Sequence, residues 1–196
     1  MDRILGIDLS LRSTGLFIDG KYKLIQADPK KINEEALLVY NATAILDFIK
    51  ETKPDYINLE GLSLGSVSSS LDIICGNFWY LRTEIFKAYP DLKINVIPVK
   101  TWRCPLFSKA DNKIFLENSK KLKALKKELE YEKMDYQGKR DFASDNAELI
   151  LDSNVKYLTF LKLPIEWQEE FHLISFTKGC FDLVDAYFLS KHGLTL

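Results

Sequence analysis

The sequence predicts an α/β fold: a mixed five-stranded sheet flanked by helices, with a helical insertion before the C-terminal helix. Three observations predict it. Short apolar segments of strand length alternate with longer segments of helical period. A tight-turn signal separates two of the first three strands. The chain then closes on a helix that is apolar nearly all round. With 196 residues, 46% of them hydrophobic, the chain holds enough apolar surface for a full core. We expect one domain over 1–196 with a helical insertion at about 105–170.

Taken in order, Arg3-Ile4-Leu5-Gly6-Ile7-Asp8 is apolar on both faces until Asp8, as in a central covered strand. A second strand follows over 14–18. Asp19-Gly20 supplies the positive φ angles of a hairpin turn, and a third strand returns over 21–27. Asn33 can cap a helix whose first turn carries Glu34 and Glu35 at the positive end of the dipole. Leu37, Ala44, Ile45 and Phe48 form its core stripe. Pro54-Asp55 breaks the chain before a strand over 56–60, whose end at Glu60 pairs in parallel with the first. A second helix spans about 71–89, with Leu71, Ile74, Cys75, Phe78, Leu81 and Ile85 at helical spacing. A fifth strand covers 93–98. Two further helical stretches, 119–134 and 145–161, precede a closing helix over 181–192 that Gly193 is placed to end.

Composition excludes several function classes. No apolar run approaches the roughly 18 residues of a membrane span, and the N-terminus runs straight into a strand pattern with no signal-peptide character. Cys75, Cys104, Cys180, His172 and His192 share no metal-type spacing, which argues against a zinc site. The odd cysteine count points to a reducing, intracellular compartment. A net charge of −1 requires any positive footprint for nucleic acid to be local. The best stretch is 109–140, with ten Lys or Arg against six Asp or Glu. A solvated, salt-bridged helix face explains the same stretch.

Four acids stand out. Asp8, Glu60, Asp182 and Asp185 each lie in or at the end of a hydrophobic segment, where a carboxylate is costly. Two carboxylates about 4 Å apart repel by roughly 4 kcal/mol at an effective dielectric near 20. A divalent cation removes that cost. Asp8 and Glu60 end strands, where α/β sheets build sites. Asp182 and Asp185 are three apart on one helix and point to one side, in a stripe with Ala186 and Leu189. Singly, each has an ordinary explanation: a first-turn acid, a turn residue, or a strand-end surface acid. Their combination is more specific.

Ile4-Leu5-Gly6-Ile7-Asp8-Leu9-Ser10-Leu11-Arg12-Ser13-Thr14-Gly15 resembles the opening of the RuvC-like Holliday junction resolvases. Asn58-Leu59-Glu60 resembles their second acidic strand, and Asp182-Leu183-Val184-Asp185-Ala186 their closing helix. The resemblance implies a ribonuclease H-like fold, a homodimer, and symmetric paired nicking of four-way DNA junctions. It implies that Asp8, Glu60, Asp182 and Asp185 hold two Mg²⁺ ions, with Mn²⁺ able to substitute. Two ions about 3.5–4 Å apart suit phosphodiester hydrolysis. It further marks Lys100 as a residue near the cleaved phosphate. Arg103, Lys109, Lys113 and Lys178 join it as candidate DNA contacts, although each is also an ordinary surface charge. The chain departs from the family in two places. Ser63 stands where an aromatic wedge is common, with Leu62 or Leu64 as substitutes, and Thr101-Trp102-Arg103-Cys104-Pro105 replaces a glycine-rich stretch. Residues 65–70 read as a loop over the site or as a plain connection.

Competing readings remain. The opening motif also looks like the phosphate loop of actin-like kinases, but the chain is too short for their two lobes. A non-catalytic branched-DNA binding module, or a nuclease of flaps, forks or RNA-containing duplexes, fits the same fold.

Overall fold

A computed structural model describes residues 2–27, 32–62, 71–174 and 179–193. These fall into two compact units, Met1–Cys104 with Ile165–Leu196, and Pro105–Pro164. The first unit contains strands β1 (Ile4–Asp8), β2 (Ser13–Ile18), β3 (Lys21–Gln26), β4 (Tyr56–Glu60) and β5 (Lys93–Ile97). Its helices are α1 (Glu34–Thr52), α2 (Leu71–Ala88), α3 (Val99–Arg103), α8 (Ile165–His172) and α9 (Cys180–Lys191). The second contains α4 (Lys109–Glu128), α5 (Tyr136–Asp145), α6 (Ala147–Asp152) and α7 (Val155–Phe160). Among the described residues no helix is long and apolar enough to cross a membrane.

The sheet order is β3-β2-β1-β4-β5. β1 pairs antiparallel with β2 and parallel with β4, and β4 pairs parallel with β5. This is the mixed five-stranded sheet, antiparallel over β3-β2-β1 and parallel over β1-β4-β5, that the sequence predicts. The β2–β3 hairpin turns on Asp19 and Gly20, whose φ angles of 47° and 81° match the turn that the Asp-Gly pair favours. Asn33 caps α1, its side chain accepting from Ala36 N at 2.8 Å.

Strand alternation gives the sheet two different faces. Leu5 and Ile7 of β1, Leu16 and Ile18 of β2, and Ile57 and Leu59 of β4 join Ile45, Phe48 and Ile49 of α1 and Phe78, Leu81 and Ile85 of α2 in one core. The opposite face belongs to α9. There Phe17 meets Trp167 and Tyr187 edge-on, each at 4.9 Å, with Phe171 at 6.4 Å. Thus α8, although it begins inside the expected 105–170 helical stretch, belongs to the sheet unit.

Boundaries differ from expectation where a local cap decides them. α4 starts at Lys109, ten residues before the expected 119, because Ser108 and Asp111 form a reciprocal capping box. The expected 145–161 helix is two, α6 and α7, with Asn154 capping the second by accepting from Lys156 N at 3.0 Å. α9 ends at Lys191 with His192 extended, so Gly193 does not supply a left-handed cap.

Candidate active site

Two glycines let α9 lie directly on the sheet. A Cβ at Gly6 would stand 2.0 Å from the Ala186 carbonyl oxygen, and one at Gly15 would stand 2.0 Å from that of Asp182. Only glycine permits such approach. Gly6 therefore faces α9, and so does Asp8, two residues on in the same strand. Gly15, which faces the first turn of α9, is the register partner of Asp8.

The same logic places Glu60. Asn58 pairs in register with Gly6, and its Nδ2 donates to the carbonyls of Leu189 at 2.8 Å and His192 at 2.9 Å. Its Oδ1 accepts from Asn95 Nδ2 at 3.1 Å. Asn58 thus faces α9, and Glu60, two residues on, shares that face. Both strand acids sit at the C-terminal ends of the adjacent parallel strands β1 and β4.

Asp182 and Asp185 lie on the N-terminal half of α9. Asp8 and Asp185 are buried, 8% and 1% exposed, while Glu60 and Asp182 are half-buried. Asp8 and Glu60 thus lie on the sheet face that α9 covers, and the N-terminal half of α9 carries Asp182 and Asp185 to the same end of the sheet. Arg103, at the end of α3, reaches the same place: its Nη2 donates to Asp185 Oδ2 at 2.6 Å. Burial pushes the adjacent Cys180 thiol up to about 11, with the Asp182 charge adding to the shift.

The loop after Asp8 is fixed by its own side chains. Ser10 Oγ donates to the Ser13 carbonyl at 2.5 Å and accepts from Ser13 N at 3.0 Å. Asn41 of α1 and Asn77 of α2, both buried, donate to the Ser10 carbonyl at 3.4 and 3.5 Å. Asn41 and Asn77 carry no motif; their sequence signal is a polar residue inside an apolar stripe, whereas Asn58 opens the Asn58-Leu59-Glu60 segment.

Lys100 is exposed on α3, and Lys109 and Lys113 are exposed on α4 of the second unit. Lys178, Ser63, Leu64 and residues 65–70 lie outside the described residues. Leu62 is half-buried and packs against the core.

As a donor set, four carboxylates suit a hard divalent cation such as Mg²⁺. Among the described residues, however, no group of three or more His, Cys, Asp or Glu is spaced to hold an ion. The donor chemistry fits; the side chains as they stand are not gathered.

No protein-family model and no curated protein matches the chain. Solved structures do. RuvC of T. thermophilus in complex with a Holliday junction substrate matches with 10% identity, TM-score 0.48, 56% of this chain and 73% of that one. A second Thermus thermophilus RuvC structure matches with 13% identity, TM-score 0.43, and 52% and 69% coverage. Fowlpox virus resolvase, in complex with Holliday junction DNA, matches with 13% identity, TM-score 0.38, and 97% and 99% coverage. These likenesses concern the fold alone.

Proposed function

We propose that the chain is a metal-dependent endonuclease of branched DNA, acting first on four-way junctions. One observation carries the reading: Asp8 and Glu60, on neighbouring parallel strands, face a helix that brings Asp182 and Asp185 to the same end of the sheet. A pure binding module gains nothing from burying or half-burying four acids at one end of a sheet.

Asp8, Glu60, Asp182 and Asp185 would hold Mg²⁺ or Mn²⁺. Bound there, divalent cations would stabilise the charge that develops on a phosphodiester during hydrolysis. The chain's own contribution is placement. Gly6 and Gly15 set the depth of α9, Asn58 anchors its C-terminal end, and the Asn41–Ser10–Asn77 contacts fix the loop beyond Asp8. Lys100, Lys109, Lys113 and Lys178 are the proposed phosphate contacts, and their loss would flatten the salt dependence of DNA binding. The junction-specific part of the reading rests on the three motifs.

Paired nicking needs two sites. The outer face of α2 exposes Trp79 (59%) and Phe86 (67%), and Arg82 lies 4.6 Å over the Trp79 ring. This face is the proposed homodimer contact.

The test is a labelled four-way junction and a matched linear duplex, each with Mg²⁺, Mn²⁺ or EDTA. Symmetric nicks in the junction, absent in EDTA, are the expected result. Cutting of flaps or duplex would keep the nuclease and change its substrate. Metal-independent junction binding without cleavage would replace it with a binding module.

A further inference from the structure

The carboxylate of Asp185 is already engaged by a cation of the chain itself. The Arg103–Asp185 pair, at 2.6 Å, is nearly dry, with side chains 14% and 2% exposed. Its position is built. The guanidinium lies 4.5 Å over the ring of Trp102, which is 3% exposed and stacks on Phe188 of α9 at 6.3 Å and 13°. Stacking on an aromatic face and pairing with a carboxylate are two things arginine does better than lysine.

The pose is also incomplete. A guanidinium has five N–H donors, and Arg103 Nε is buried with no hydrogen-bond partner among the described residues. A buried charged donor left unmatched is costly, and such groups call for a functional reason. An ion pair serving stability alone would gain from a partner at that nitrogen.

We propose that Arg103 is an internal cation that competes with the divalent ion for Asp185. The inference rests on the metal-site reading above and specifies how that site is filled. Without a metal, the guanidinium supplies the positive charge that a buried carboxylate requires. When a divalent ion arrives, the two cations share one small anion and repel. Arg103 therefore lowers ion affinity whether it withdraws or stays. This accounts for a donor set that fits a hard cation without being gathered around one. Arg103 acts through Asp185 and is a positioning residue.

The experiment is Mn²⁺ binding to the DNA-free protein, followed by paramagnetic resonance of the free ion, for wild type, Arg103→Gln, Arg103→Lys and Asp8→Asn. Arg103→Gln is expected to bind Mn²⁺ at least about tenfold more tightly, and Arg103→Lys to stay near wild type. A second readout needs no variant to fold: saturating Mg²⁺ should move the Arg103 Nε–H resonance of wild-type protein. Unchanged or weaker Mn²⁺ binding by Arg103→Gln, with binding lost in Asp8→Asn, would overturn the role of Arg103 and leave the metal site standing. So would an Nε–H resonance that stays put at saturation. No binding by wild type or Arg103→Gln would overturn the metal site, and this inference with it.

Discussion

Replacing Gly15 by alanine adds one methyl group where the structure has no room for it. The new Cβ would lie 2.0 Å from the Asp182 carbonyl oxygen, 2.3 Å from its carbon and 2.8 Å from Leu183 N, all backbone. Ordinary contact begins at 3.4 Å, so α9 must withdraw by about 1.4 Å or β2 must buckle. No side chain can rotate away to relieve the clash. Overpacking of this kind costs roughly 1–3 kcal/mol, and two fixed backbones place this case at the upper end. Asp182 moves with the helix, and a misplacement near 1 Å costs on the order of 10²-fold in rate. Urea denaturation and single-turnover cleavage measure the two effects. Gly76→Ala is the control, because among the described residues nothing lies within 4 Å of a Cβ built there in α2. It should stabilise by roughly 0.5–1 kcal/mol. A Gly15→Ala protein with wild-type stability and wild-type cleavage would refute the placement of α9 on β2.

Other expectations follow from the same contacts. Asn58→Leu leaves the Leu189 and His192 carbonyls without their buried donor and should cost about 2–3 kcal/mol by urea denaturation. Phe17→Ala empties the cluster with Trp167, Phe171 and Tyr187 and should cost about 3–5 kcal/mol in the same assay. A charge at the exposed α2 face, Trp79→Asp, should convert a dimer to monomers in sedimentation and remove the concentration dependence of its melting temperature. A monomeric wild type at micromolar concentration would remove the dimer and paired nicking together.

Elements with a local signal were legible in the sequence. Asp19-Gly20 dictates a hairpin and Asn33 a helix start whatever surrounds them. The faces of the strand acids follow from period-two alternation once Gly6 and Asn58 are known to meet α9. That meeting is tertiary, and nothing in a single strand announces it. Arg103 shows the limit most clearly. It reads as one more basic residue for DNA, yet it pairs with an aspartate 82 positions away. Its partner is chosen by where α3 leaves β5, which no periodicity encodes. The break between α6 and α7 is hidden for a smaller reason: α6 ends at Asp152 and Asn154 starts a new helix within a pattern that looks continuous.

Whether Asp8 and Glu60 belong to one cation site is read from the melting temperature with and without millimolar Mg²⁺. Wild type, Asp8→Asn and Glu60→Gln suffice. Mg²⁺ should stabilise wild type, by about 2.7 kcal/mol at a hundredfold excess over Kd. Asp8→Asn should melt higher than wild type in EDTA, because one repelling charge is gone, and neither variant should gain from Mg²⁺. Equal Mg²⁺ increments in all three proteins would contradict a shared site.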